Sequence, residues 1–297
     1  MDTESTKRWL RYFVAFRGLS LMPERVAYRL ASHMGDLDLR RENAWAESFA
    51  SGLRLAFPSW AESRISASVR AHFRMMAREV LDVFYLPRRR EQHLGKVIFP
   101  SGFEVLEHAK QGGKGTIIAM AHFGRPIMLS TALGLSGHRI GILSQAVDER
   151  NPDLSSVDST YLQNKLLHTV AKAGGRGITT KDNLRVLYNA LDQGETIIIM
   201  LDVVEPDAEK RFKAPFLGGI LGVPRGIVRL ASKTGARLIY GVAKDQGHTV
   251  ATELRALPPE PGAAMTAAIL ELEKDVLEAP WQWWQWRQLN HFWGHAP

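Results

Sequence analysis

Gly115-Thr116-Ile117-Ile118-Ala119-Met120-Ala121 is an Ile-containing apolar run that ends at once on His122-Phe123-Gly124-Arg125-Pro126. A run this short, bounded by turn residues, reads as a strand buried on both faces. Three runs of the same kind follow, at 139–143, 195–201 and 237–242, each rich in Ile, Leu or Val. Helical spacing falls between them near 127–135, 159–173, 183–192 and 225–234. Apolar strands alternating with helices predict an α/β fold whose central sheet is mostly parallel and covered by helices. The looser alternation of 248–257 predicts an edge strand, and 263–277 a late helix.

Upstream, from Glu4 to about Arg90, apolar residues recur at three- and four-residue intervals, as in Val69, Phe73, Met76, Val80, Val83 and Phe84. This predicts a helical N-terminal region (1–90), broken at Pro87-Arg88-Arg89-Arg90. No repeat or linker separates it from the α/β core of 91–297, so a single domain is expected over 1–297.

The chain has 297 residues, 45% hydrophobic and 23% charged, enough to bury a substantial core. It contains no cysteine, so thiol nucleophiles, disulfides and thiolate metal sites are excluded. The formal charge of +7 favours anionic partners without choosing among them. Arg11 and Arg17 interrupt the apolar residues of the first segment, so no run of about 18 apolar residues forms there. That segment reads either as an interfacial amphipathic helix or as a surface helix burying Trp9, Phe13 and Phe16. Without a cleavable signal, a cytoplasmic, membrane-peripheral location is expected.

Ligands of open α/β sheets bind beyond the carboxyl ends of the strands, where loops and helix N-termini converge. His122 and Asp202 each directly follow an apolar run and, if the strands are neighbours, open onto one cleft. A hydrogen-bonded surface histidine and a helix-capping aspartate are the bland alternatives. No Walker sequence, G-x-S-x-G elbow, complete G-x-G-x-x-G or H-E-x-x-H occurs. Lys210-Arg211-Phe212-Lys213, Phe216-Leu217-Gly218-Gly219 and Gly222-Val223-Pro224-Arg225-Gly226 bring glycines and cations ahead of a helix. That combination suits a phosphate or oxyanion cradle, with a solvated loop as the alternative. Five tryptophans, Trp281, Trp283, Trp284, Trp286 and Trp293, crowd the tail and suggest an interface belt or acyl groove, though a docked terminal element accounts for two or three.

The 115–124 stretch, preceded by Gly102-Phe103-Glu104-Val105-Leu106, resembles the catalytic block of the bacterial lipid A late acyltransferases, a branch of the lysophospholipid acyltransferase superfamily. Leu201-Asp202, the segment from Phe216-Leu217-Gly218 to Thr234-Gly235-Ala236, and Pro280-Trp281-Gln282-Trp283 through Trp286-Arg287 are similar to further blocks in the same order. The resemblance spans about 20–293. It implies His122 as general base, abstracting a proton from an acceptor hydroxyl that attacks an acyl thioester. It also implies a phosphopantetheine-bearing donor, acyl carrier protein or acyl-CoA, with no metal or other cofactor.

The sequence departs from the family where it matters for chemistry. Ile127 stands five residues after His122, where the family carries an acid, and Arg125-Pro126 replace Asn-Trp. An acid is needed to fix the imidazole tautomer and stabilise the imidazolium. Asp202 or Glu149 is expected to substitute, unless the acceptor is an amine or the protein is inactive. Gly124, Gly218 and Gly219 are expected to cradle the oxyanion or phosphate, and Arg125, Arg211 and Arg225 to meet anionic head groups or the donor. The expected function is acyl transfer from a thioester to an amphipathic acceptor at an anionic membrane surface. A glycyl-type transferase and a non-catalytic lipid-binding relative are the rivals. Nucleic acid is not an expected partner.

Overall fold

The computed structural model describes residues 3–148 and 154–295. Ten strands appear among them: β1 (Ile98–Ser101), β2 (Thr116–Gly124), β3 (Ile140–Ser144), β4 (Gly174–Thr179), β5 (Thr196–Met200), β6 (Arg211–Phe216), β7 (Gly219–Pro224), β8 (Arg237–Gln246), β9 (Thr249–Ala256) and β10 (Trp293–His295). Seven form the central sheet in the order β1-β9-β8-β2-β5-β3-β4. β8, β2, β5, β3 and β4 are mutually parallel, β9 runs antiparallel to β8, and β1 is parallel to β9. The expected α/β class and mostly parallel sheet hold.

β2 lies between β8 and β5, so its residues alternate between two buried layers. Ile117, Ala119, Ala121 and Phe123 pack into one layer with Ile197, Ile199, Tyr240 and Trp283. Ile118 and Met120 face the other, with Ile198, Ile239 and the wholly apolar first turn of the Ile127–Leu135 helix. The N-terminal helices complete both layers. Ile65, Val69 and Phe73 of the Glu62–Tyr85 helix join the first, and Ala77, Leu81 and Val83, further along it, join the second.

Two local expectations are corrected, on β9 and on the 211–224 segment, and two strands, β1 and β4, were not foreseen. β9 is not an edge strand, because β1 covers it. β1 has four residues, includes Pro100 and buries only Ile98, too little pattern to announce a strand. β4 is written in glycines because it passes close to its neighbour: a Cβ on Gly175 would sit 2.2 Å from the Ile140 carbonyl oxygen. Finally, the glycine-rich 211–224 segment is a two-stranded hairpin, β6 and β7, extended by β10 into a separate three-stranded sheet. Its turn residues Leu217 and Gly218 both have positive φ (48° and 72°), the geometry of a tight hairpin. The Glu273 carboxylate accepts the Leu217 N–H and holds this rare conformation.

Candidate active site

β2 and β5 pair in register up to Met120 opposite Met200, and the Leu201 N–H still donates to the Met120 carbonyl at 2.7 Å. Two residues beyond that last partnered pair, on each strand, stand His122 and Asp202. Sheet register therefore puts the two side chains face to face. His122 Nδ1 lies 2.8 Å from Asp202 Oδ1, and the His122 backbone N–H donates to both carboxylate oxygens at 3.1 and 3.0 Å. Trp283 Nε1 donates to Asp202 Oδ2 at 2.9 Å.

Asp202 is fully buried and surrounded by donors, so it is held as an acceptor-only carboxylate. Nδ1 of the ring must then carry its hydrogen toward Asp202, which leaves the lone pair on Nε2. That nitrogen has no hydrogen-bond partner among the described residues, and the ring is 29% exposed. The Gln285 side-chain amide stands 3.4 Å from Nδ1, too long to displace the charged contact. Trp284 packs 5.8 Å from the imidazole, centroid to centroid, and its indole N–H holds the Gly124 carbonyl at 3.0 Å. An oriented imidazole with one open basic nitrogen is equipped to take a proton and hold the resulting charge.

The turn after His122 is fixed from beneath. Gly124 has φ +60°, and a Cβ there would lie 1.9 Å from the Ala243 carbonyl oxygen, so no other residue fits. Arg125 was expected to meet an anionic head group; instead it is fully buried, and that expectation is corrected. Its guanidinium binds Asp82 at 3.0 and 3.1 Å, Asp245 at 3.1 Å, and the carbonyls of Gly247 and Thr249. Tyr28 donates to Asp82 at 2.6 Å, and Arg78 pairs with Asp245. Burial pushes the Asp82 carboxyl up to about 7, against the pull of Arg125. Burial works against the charge on Arg125, and Asp82 and Asp245 more than offset it, so its pKa stands above the ordinary value.

The single cradle expected from 210–226 is divided by the hairpin. Gly218 is at the turn, exposed, while Gly219 lies beneath the Trp293 ring, leaving no room at its Cα for a ligand. Arg211 and Arg225 sit together at the opposite end, about 17 Å away at the usual rise per strand residue. Arg211 Nε donates to the Glu205 carbonyl at 2.6 Å and so secures the segment leaving Asp202. Arg225 is exposed, and among the described residues its guanidinium reaches the Arg211 carbonyl alone, at 3.5 Å. Glu149, the other acid considered for His122, lies outside the described residues.

The tryptophan-rich tail is not an interface belt: Trp283, Trp286 and Trp293 are buried, and Trp281 and Trp284 are half-buried. Trp283 is the site residue that sequence reasoning did not single out. The carboxylates Glu79 and Asp82, standing between Val80, Leu81 and Val83, were the available signal of a buried polar network. Among the described residues no group of three metal-ligating side chains gathers, and no helix is long and apolar enough to cross a membrane.

The covered, mostly parallel sheet and the carboxylate-held histidine at the carboxyl end of a central strand place the candidate site where α/β folds bind their ligands. The chain belongs to the bacterial lipid A biosynthesis acyltransferase family, whose model matches residues 2–290, and it is an acyltransferase. No curated protein matches it.

Proposed function

We propose that this acyltransferase moves an acyl group from a phosphopantetheinyl thioester, on a carrier protein or coenzyme A, to the hydroxyl of an amphipathic acceptor at a membrane surface. The observation that carries the reading is the 2.8 Å contact between His122 Nδ1 and Asp202 with Nε2 left open. The acceptor O–H gives its proton to Nε2 as its oxygen attacks the thioester carbonyl. The tetrahedral oxyanion then collapses, the C–S bond breaks, and the departing sulfur takes the proton back from Nε2. Asp202 stabilises the imidazolium between these steps, in place of the acid that Ile127 has replaced. No metal or further cofactor takes part.

Gly124 is the nearest of the glycines to the reacting centre and the candidate for oxyanion contact. Gly218 and Arg225, both exposed, are left to meet outlying parts of a substrate, with Gly219 and Arg211 supporting them. The helical region and the α/β core act as one unit, because the Glu62–Tyr85 helix contributes to both buried layers.

The first helical segment supports attachment to an anionic membrane surface on the cytoplasmic side of the inner membrane. Phe16 is buried and Phe13 packs edge-on against Phe84, while Trp9, Leu10 and Val14 are exposed, as are Leu21 and Met22 just beyond. Such an apolar outer face beside Arg and Lys suits the headgroup region. The experiment is thiol release from acyl-carrier and acyl-CoA donors by the purified protein. Wild type releases thiol in the presence of a lipid-like hydroxyl acceptor, and His122→Ala lowers the rate by about 10³ or more. Equal rates would remove the base assignment.

A further inference from the structure

Glu79, on the Glu62–Tyr85 helix, is almost wholly buried, and a carboxylate taken so far from water needs a cation. Lys165 of the Ser156–Ala173 helix supplies it, with Nζ 2.8 Å from Oε1. The other carboxylate oxygen, Oε2, has no hydrogen-bond partner among the described residues. As a mere joint between two helices this is a poor device, because apolar side chains of similar volume hold as well without the cost of desolvation. What the charged pair adds is an ammonium fixed at one place.

That place is 5.2 Å from the centre of the Trp284 ring. The Lys165 side chain is 20% exposed, so the attraction between ammonium and indole acts at a partly desolvated site. The same indole packs 5.8 Å from the His122 ring and donates its N–H to the Gly124 carbonyl at 3.0 Å. One ring thus links a buried ion pair to the imidazole and to the turn that follows it. The next residue, Gln285, stands with its amide nitrogen 3.4 Å from His122 Nδ1. Trp284 and Gln285 share one short helical turn, Trp284–Gln288, so a displaced indole carries the amide with it. A few tenths of an ångström closer, the amide N–H would donate to Nδ1. The ring would then hold its hydrogen on Nε2, the nitrogen that must stay open.

On the reading of His122 as general base, we propose that Lys165, anchored by Glu79, is a positioning residue for acyl transfer: it holds Trp284 against His122 and keeps Gln285 off Nδ1. Lys165→Met alone would strand Glu79 in the core, so the test uses Glu79→Leu combined with Lys165→Met, an apolar pair in place of the charged one. Glu79→Gln with Lys165→Gln, which keeps a hydrogen bond without charge, is the second variant, and melting curves check both folds. In thiol release from acyl-CoA with a hydroxyl acceptor, each double variant keeps KM for both substrates within about twofold. Each loses kcat by about 5- to 30-fold, the factor such an ammonium–indole attraction supplies. Lys165→Arg, which keeps a cation on the indole, retains most of the wild-type kcat. Adding Gln285→Ala to either double variant recovers most of the loss, a rescue that a merely structural pair would not show. In proton NMR, the His122 ring protons, displaced by the Trp284 ring current in the wild type, move in both double variants. Wild-type kcat in the double variants, a loss confined to KM, no recovery with Gln285→Ala, or unmoved ring protons overturns the assignment. If His122→Ala turns over as the wild type does, the base reading falls instead, and the ring-proton shifts still decide whether Lys165 places the indole.

Discussion

Replacing Asp202 by Asn tests how the site controls the imidazole. The carboxylate presents two acceptor oxygens, one to His122 Nδ1 at 2.8 Å and one to Trp283 Nε1 at 2.9 Å. An amide of the same shape has one acceptor and one NH2, so one of the two donors must meet another donor. The indole N–H cannot move its hydrogen, and leaving it unpaired in the core costs about 1–3 kcal/mol. The imidazole can shift its proton from Nδ1 to Nε2. The amide therefore turns its oxygen to Trp283 and its NH2 to His122, and the ring takes the tautomer whose open nitrogen is no longer basic. Losing the base and the imidazolium's countercharge together lowers turnover by about 10³- to 10⁴-fold, roughly 4–5.5 kcal/mol. The assay is thiol release under saturating donor. The same logic predicts that Asp202→Asn combined with Trp283→Phe, which removes the competing donor, is more active than Asp202→Asn alone. A single variant within tenfold of wild type, or a double variant no better than the single, would refute the reasoning.

Other perturbations probe the scaffold beneath the dyad. Arg125→Met leaves Asp82 and Asp245 buried without their shared cation and is expected to cost about 3–5 kcal/mol in denaturant unfolding, with a smaller loss when Asp82 is also changed to Asn. Gly124→Ala puts a methyl group 1.9 Å from the Ala243 carbonyl at a positive φ, so a clear fall in melting temperature accompanies lost turnover. His72, fully buried between Trp45 and Phe49, is pushed down to about 3 by burial, from 6.5 in the open chain. The unfolded chain then binds the extra proton, so stability falls as pH drops from about 6.5 toward 3, by at most about 1.4 kcal/mol per unit. His72→Phe flattens that part of the stability–pH curve.

What was legible in the chain was whatever repeats along it. β2, β5 and β8 are apolar runs, and the Ile127–Leu135 helix begins after Pro126, so strands, helices and the strand-end positions of His122 and Asp202 could be read directly. Their contact required only that β2 and β5 be neighbours. Partnerships formed across long separations were not legible. Arg125 has the sequence context of a substrate-binding cation, and only the arrival of Asp82 and Asp245 from distant elements turns it into a buried brace. Gly218 and Arg225 are near in sequence, but a hairpin turn sends them to opposite ends of one ribbon. Trp283 looked like one of five surface-seeking indoles until the chain's tail folded back over β2, where Phe123 bridges to it.

General-base action at this site requires His122 to carry its hydrogen on Nδ1 and to offer Nε2 to solvent and substrate. Nitrogen-15 NMR of histidine-labelled protein, with His122 assigned by comparison with His122→Gln, reads that tautomer directly. A protonated Nδ1 with a downfield proton that vanishes in Asp202→Asn is the predicted result. A neutral ring protonated on Nε2 in the wild-type protein would contradict it.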